Sequence, residues 1–347
     1  MKIALGSLDG IASNPLIMGV LTSLKDSLIG TGCKVDIIGT RQKDPRILCI
    51  TDPEKLNDYE AVILFSQPFV FFGGSVDKSA VDMFKLLHKF KGKIFYWYED
   101  ARWGIETLSE KLEGRTFWLN NPLCDIEELT IDSPIHVLSQ FYSEETVRGR
   151  SKVKLGEYFY VPTFLCHLNR QCVKPLFGKT VDLIYGGVNR HSKRNQFFKD
   201  YYVDLSDEFV VEFYGGMKDL KDVELKNCIK SSKVPYTEVL TKNSTAYATL
   251  ILPEKYYSNN TITARIMEAL SSDVICFIHN DFDEEHKILQ DDYFYIHSPK
   301  ELREKLTEIK TNSDIYKRLL SIQSATLEKY KNIDIGGIVL KIIRSVV

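Results

Sequence analysis

Short apolar runs alternate along this chain with longer stretches in which apolar positions recur at helical spacing. In the first half the runs are Ile3 to Leu5, Val35-Asp36-Ile37-Ile38, Ala61 to Phe65 and Ile94 to Tyr98, while Leu16 to Leu28 and Val81 to Phe90 carry the helical pattern. Continuous apolar strands separated by helices predict a parallel sheet covered on both faces, a Rossmann-like half. The pattern restarts near Val181. A strand through Asp182 to Tyr185 ends in Gly186-Gly187, and a helix is expected from about Asn189 to Tyr202. Strands at Val210 to Tyr214, Ala248 to Leu252, Val274 to Ile278 and Tyr293 to Ile296 follow, with a helix from about Thr261 to Leu270. This predicts a second, independent α/β half. The polar stretch Cys166 to Lys179, with Pro175 and Gly178, is the expected linker, and the tail from Lys300 to Val347 reads as helical with breaks near Asn312 and Asn332.

Composition sharpens this picture at a few points. A length of 347 residues suits two domains, and 44% hydrophobic residues supply a real core. No run approaches the roughly 18 to 20 apolar residues of a membrane span, and the start MKIALGSLDG lacks a signal-peptide pattern. A soluble, unprocessed, cytoplasmic monomer without membrane association is therefore expected. A net charge of −2 argues against a coat for polyanions, so any nucleic-acid site has to be regional. The seven cysteines (Cys33, Cys49, Cys124, Cys166, Cys172, Cys228, Cys276) are odd in number and scattered, which predicts reduced core thiols.

Open α/β sheets bind ligands beyond the carboxyl ends of their strands. Two such halves suit an enzyme with a nucleotide on one and an acceptor on the other, and the cleft between them is the expected site. Three constellations fall at strand ends. Gly186-Gly187 lets the backbone approach an anion closely, and Arg190 and Arg194, four apart, project from one face of the helix that follows. The bland alternative is a tight turn before a solvated basic helix. In the run Tyr256 to Glu268, Ser, Asn and Thr residues supply helix-start chemistry, and Arg265 and Glu268 lie three apart. A carboxylate there can accept both hydroxyls of a ribose while the arginine meets a diphosphate; otherwise the two are a surface pair worth a few tenths of a kcal/mol. Third, the strand ending at Tyr98 runs into Glu99-Asp100-Ala101-Arg102, where a carboxylate can serve as general base or simply as a loop cap. The aromatic run Phe69 to Phe72 before Gly73-Gly74 suits either base stacking or a core, and core is favoured from the residues alone. Cys166-His167 with Cys172 lacks zinc spacing, Asp281-Phe282-Asp283 is a weak match to a metal-binding Asp-x-Asp pair, and no nucleophile elbow or Walker loop is present.

Taken together, the segments Val35 to Ile38, Asn57-Asp58-Tyr59, Phe71 to Gly74, Lys93 to Asp100, Ser133 to Val137, Asp182 to Gly187, Arg190, Arg194, Asn260 to Asp273, and Phe282 with His286 resemble the DNA β-glucosyltransferases of T-even bacteriophages. These are inverting transferases of the GT-B fold that place a sugar on 5-hydroxymethylcytosine in DNA. The resemblance implies two Rossmann-like domains facing across a cleft, an acceptor domain at 1–165 rejoined by a terminal helix 333–347, and a UDP-sugar domain at 166–332. It places Asp100 as general base, with Phe72, Gly73 and Arg102 on the acceptor side. Gly187, Arg190, Arg194 and Arg265 would hold the diphosphate, Glu268 the ribose, and Val234, Tyr214 and Tyr257 would surround the uridine. The partners implied are a UDP-sugar and double-stranded DNA, in the cytoplasm of an infected host, with Mg2+ or Mn2+ assisting product release and no ligand set for it legible.

The departures from that family lie around the sugar. A glutamate of its first long helix aligns here with apolar residues around Met18 to Val20, a second aligns with Pro162-Thr163-Phe164, and an aspartate before the ribose-binding helix becomes Glu254. Losing carboxylates that accept hydroxyl hydrogen bonds favours a donor lacking one of those hydroxyls, since a buried group left without its partner is costly. The expected donor is then UDP-glucose or a UDP-pentose such as UDP-arabinose. Two rival readings are a UDP-sugar transferase acting on a saccharide or protein, and a nucleotide- or DNA-binding module without activity.

Overall fold

A computed structural model of the chain describes residues 1–7, 15–41, 44–65, 78–98, 133–139, 155–161, 178–187, 196–215, 227–231, 234–253 and 262–346. The chain divides into two compact units, Met1–Cys166 with Asp334–Val347, and His167–Ile333.

The first unit is a seven-stranded parallel sheet. Its strands are β1 (Lys2–Ser7), β2 (Lys34–Gly39), β3 (Ile47–Cys49), β4 (Ala61–Phe65), β5 (Lys93–Tyr98), β6 (Ile135–Ser139) and β7 (Leu155–Tyr160), in the order β3-β2-β1-β4-β5-β6-β7. The helices described in it are α1 (Pro15–Gly30), α2 (Pro53–Leu56) and α3 (Lys78–His88). All five side chains of β4 are buried, as a strand covered on both faces requires. Trp97 of β5 stacks on Phe65 of β4 with ring centroids 5.4 Å apart, so the aromatic residues leading toward Asp100 anchor that strand in the core.

The second unit has a six-stranded parallel sheet. Strands β8 (Val181–Gly186), β9 (Val211–Tyr214), β10 (Cys228–Ser231), β11 (Ala246–Ile251), β12 (Ile275–His279) and β13 (Tyr295–Ile296) run in the order β10-β9-β8-β11-β12-β13. Helices α4 (Val239–Asn243), α5 (Ala264–Leu270), α6 (Pro299–Thr311) and α7 (Ser313–Lys331) belong to this unit. The buried side chain of Gln323 in α7 reaches β12, accepting from the Cys276 N–H at 2.7 Å and donating to the Val274 carbonyl at 2.9 Å. The terminal helix α8 (Ile335–Ser345) belongs to the first unit and packs on α1. Contact is close enough that a Cβ added at Gly336 would fall 2.2 Å from the Ser27 carbonyl oxygen.

Several expectations need adjustment. Strands β3, β6, β7 and β10 and helices α2 and α4 were not anticipated as elements. Helix α5 begins at Ala264 rather than near Thr261, because Thr263 is its N-cap and accepts a hydrogen bond from the Ile266 N–H. The stretch expected as a strand from Tyr293 starts with a 3-10 turn, Asp292–Phe294, leaving only Tyr295–Ile296 in the sheet. The end of the helix expected to reach Tyr202 is a π turn, Lys199–Val203; residues 188–195 lie outside the described residues. Of the four described cysteines, only Cys33 and Cys276 are core thiols. Cys49 is exposed and Cys228 half-buried, since β3 and β10 are edge strands. Most of the stretch expected as the linker also lies outside the described residues.

Candidate functional site

In the second unit the chain leaves β8 toward β9 on one side, and β11 lies on the other. This reversal of strand order makes the carboxyl ends of β8 and β11 the topological switch point, where open α/β sheets take their ligands. Gly186 and Gly187 stand there. Gly187 has φ +141° and its N–H donates to the Tyr214 carbonyl at the end of β9. Gly215, next along from Tyr214, has φ +113°, and a Cβ on it would lie 2.2 Å from the Gly187 carbonyl oxygen. The two strand ends therefore nest backbone against backbone, which only residues without a Cβ permit.

Arg265, in the first turn of α5, reaches into this nest. A Cβ built on Gly187 would lie 2.6 Å from the Arg265 Nη2. The guanidinium carbon sits 4.6 Å from the centroid of the Tyr185 ring, a cation–π contact. Burial opposes its charge, but the neighbouring Tyr185 and Glu268 outweigh that and hold the guanidinium above its ordinary pKa. Glu268 follows three residues on, half-buried on the same helix. The arrangement thus brings together Gly187, Arg265 and Glu268 from the sequence-predicted set.

Tyr214, at the end of β9, lies beneath the same turn. It is only 7% exposed, its hydroxyl donates to Asn243 Oδ1 at 2.8 Å, and a Cβ on Gly186 would fall 2.1 Å from that hydroxyl. Burial pushes its phenol well above the ordinary range. Tyr214 is a buttress beneath the glycine turn. Below it Glu212, 1% exposed, is paired with Lys242 of α4 and accepts from Ser231 at the end of β10. That clamp holds the strand end from which the chain goes on to Val234, which is half-buried.

Asp100, Phe72, Gly73, Arg102, Arg190, Arg194, Glu254 and Tyr257 lie outside the described residues. Asp100 follows the last residue of β5 by two positions, and β5 is the neighbour of β4 in a sheet whose own switch point lies between β1 and β4.

The Asp-x-Asp stretch has a structural explanation. Asp283 is fully buried, and its Oδ2 accepts from the Tyr295 hydroxyl at 2.7 Å and from the Ile288 N–H at 2.8 Å. Phe282 is core. Among the described residues no group of three or more His, Cys, Asp or Glu side chains is arranged to hold a metal ion. Sequence reasoning missed Asn243, Glu212 and the role of Tyr185. Each is defined by partners distant in sequence, and no local spacing signals them.

A family model described as bacteriophage T4 beta-glucosyltransferase matches residues 22–163. The DNA beta-glucosyltransferase of Enterobacteria phage T4 is 32% identical over 308 residues, which cover 86% of each protein. Among solved structures, the D100A mutant of T4 phage BGT in complex with UDP-glucose aligns with TM-score 0.82 at 28% identity over 99% of both chains. T4 phage BGT in complex with UDP and Mn2+ aligns with TM-score 0.82 at 27% identity, again over 99% of both. The chain belongs to the bacteriophage T4 β-glucosyltransferase family, glycosyltransferases of the GT-B fold.

Proposed function

We propose that this protein is a UDP-sugar-dependent DNA glycosyltransferase that moves a sugar to the hydroxymethyl group of 5-hydroxymethylcytosine in double-stranded DNA. The observation that carries the donor half is the nested glycine turn at the second sheet's switch point with Arg265 lodged against it. A turn without side chains admits a diphosphate to the backbone, and an in-plane fork of N–H groups meets its oxygens. Unit His167–Ile333 is then the donor side, with Arg190 and Arg194 adding charge, Glu268 taking the ribose hydroxyls, and Val234 and Tyr257 beside the uridine. The first unit is the acceptor side, with Phe72, Gly73 and Arg102 near the base.

The reaction is a direct displacement with inversion. Asp100 accepts the proton of the hydroxymethyl oxygen as that oxygen bonds to the anomeric carbon, and the bond from that carbon to the diphosphate breaks, releasing UDP. Arg265 with Arg190 and Arg194 stabilises the charge that develops on the leaving group. Because a base in a duplex is shielded by its neighbours, the modified cytosine is flipped out to meet Asp100, with Phe72 bordering its route. Mg2+ or Mn2+, the latter present with UDP in one T4 complex, is proposed to assist product release.

The sugar is proposed to be glucose or a pentose such as arabinose, with the pentose favoured. Support comes from the residues that stand where the family carries acids. Met18 and Val20 are buried apolar residues of α1 and offer no carboxylate to a sugar hydroxyl. The site of action is the cytoplasm of an infected host cell. The test is Asp100→Ala, assayed with UDP-arabinose and UDP-glucose on hydroxymethylated duplexes. Transfer should fall by at least about a thousandfold while UDP titrates as in the unmodified protein. Retained turnover would assign the base elsewhere, and a clear wild-type preference for glucose would remove the pentose reading.

A further inference from the structure

We infer that Tyr185 is a positioning residue for the donor site. Its buried ring is the shelf on which the Arg265 guanidinium lies, and this contact aims the arginine at the diphosphate. The inference rests on the reading of Arg265 as a diphosphate ligand.

Arginine carries several rotatable bonds, and fixing one conformation costs side-chain entropy on the order of 2 kcal/mol. A bound diphosphate meets the full benefit of the charge only if that cost has already been met in the unliganded protein. Tyr185 supplies the means. It is the residue of β8 that precedes Gly186-Gly187, 1% exposed, with the Arg265 guanidinium carbon 4.6 Å from its centroid. Stacking uses the flat face of the guanidinium and leaves its in-plane N–H groups for a ligand.

The shelf itself cannot tilt. Phe198 and Tyr202 both meet the Tyr185 ring edge-on, at 4.5 and 5.5 Å with interplanar angles of 79°. Phe213 packs against both of them in turn, at 6.2 and 5.5 Å. Tyr202 is locked to β11, its hydroxyl donating to the Leu250 carbonyl at 3.1 Å and accepting from the Leu250 N–H at 3.3 Å. Strands β8, β9 and β11 thus all fix the ring that carries Arg265. Among the described residues no ordinary hydrogen bond reaches the buried Tyr185 hydroxyl, while the guanidinium lies over the ring, whose face phenylalanine also presents.

The test is isothermal titration of UDP into the full-length wild type and the variants Tyr185→Phe, Tyr185→Leu, Arg265→Ala and the double variant Tyr185→Leu/Arg265→Ala. Tyr185→Leu should bind UDP about tenfold more weakly, while Tyr185→Phe stays within about twofold of wild type. Adding Tyr185→Leu to Arg265→Ala should cost nothing further, because the ring acts through the arginine. Should Tyr185→Leu fail to fold, Tyr185→Met replaces it, filling similar space without an aromatic face. Wild-type affinity in the Leu or Met variant, an equal loss in Tyr185→Phe, or full additivity in the double variant would each overturn the inference. Unchanged affinity in Arg265→Ala would overturn the donor-site reading itself, which keeps the two failures distinct.

Discussion

Gly187 and Gly215 look alike in sequence, each following another strand-end residue by one step, but the structure gives them different obstacles. At Gly215 a methyl group would meet backbone, the Gly187 carbonyl at 2.2 Å, and backbone in a paired sheet cannot yield. At Gly187 it would meet the far end of a side chain, the Arg265 Nη2 at 2.6 Å, which can move. Both also hold positive φ values that favour glycine. Gly187→Ala should therefore fold with a stability loss of about 1 to 3 kcal/mol from backbone strain. It should bind UDP at least about tenfold more weakly, because the methyl displaces the arginine from the turn. Gly215→Ala should be the less stable of the two. Thermal melts and UDP titration on both variants check this; Gly187→Ala with wild-type UDP affinity would contradict the site as drawn.

At the scale of elements, the edge strand β7 carries its own pH dependence. His136 of β6 is buried beside Phe95, and its Nδ1 accepts a hydrogen bond from the Glu157 N–H of β7 at 3.1 Å. Gly156 opposite makes room, since a Cβ there would lie 2.6 Å from Nδ1. Burial holds the His136 pKa below its ordinary value of 6.5. Nδ1 must be unprotonated to accept, so protonation opposes both the burial and the strand pairing. The unfolded chain binds the proton first, near pH 6.5, which makes stability highest above that pH. The contribution is lost as pH falls from 6.5 toward the folded-state pKa. An NMR titration of the His136 ring should give a value below 6.5, with amide exchange at Glu157 accelerating, relative to the unfolded rate, over the same range. A value at or above 6.5 would contradict it.

Which elements could be read from sequence follows from how they are buried. Strand β4 was legible to the residue because Ala61 to Phe65 are five consecutive buried apolar side chains. Strands β3 and β10 escaped because they are sheet edges of only three and four residues, too short to set a pattern, and they expose Leu48, Cys49 and Ile229. The breaks at Asn312 and Asn332 were legible as polar interruptions, and Asn312 does cap α7 by accepting from Asp314 and Ile315. In the site, Gly187, Arg265 and Glu268 could be named from strand-end and helix-start patterns. Asn243 and Glu212 could not. Their polar groups are buried only because tertiary partners such as Tyr214 and Ser231 satisfy them, and one chain's spacing does not show that pairing.

For the whole molecule, the main feature is the route of the chain. After the second sheet and its helices α6 and α7, α8 returns to the first unit, burying Val339, Leu340 and Ile343. Lys93, the first residue of β5, donates its ammonium to the carbonyls of Ile343 and Val346 at the end of that helix. The strand that leads to Asp100 is thereby tied at its opposite end to the last turn of the chain. The two sheets share one logic, each with a switch point beside its first strand, one proposed for the acceptor and one for the donor. A net charge of −2 places the burden of DNA binding on local groups rather than on the field of the whole protein. The most direct test of this assignment is mass spectrometry of nucleosides from a 5-hydroxymethylcytosine duplex incubated with the protein and a panel of UDP-sugars. A single glycosyl increment on the modified cytosine, with none on unmodified cytosine, is the predicted result. No increment with any donor, while a saccharide or protein acceptor gains the sugar, would contradict the claim that DNA is the substrate.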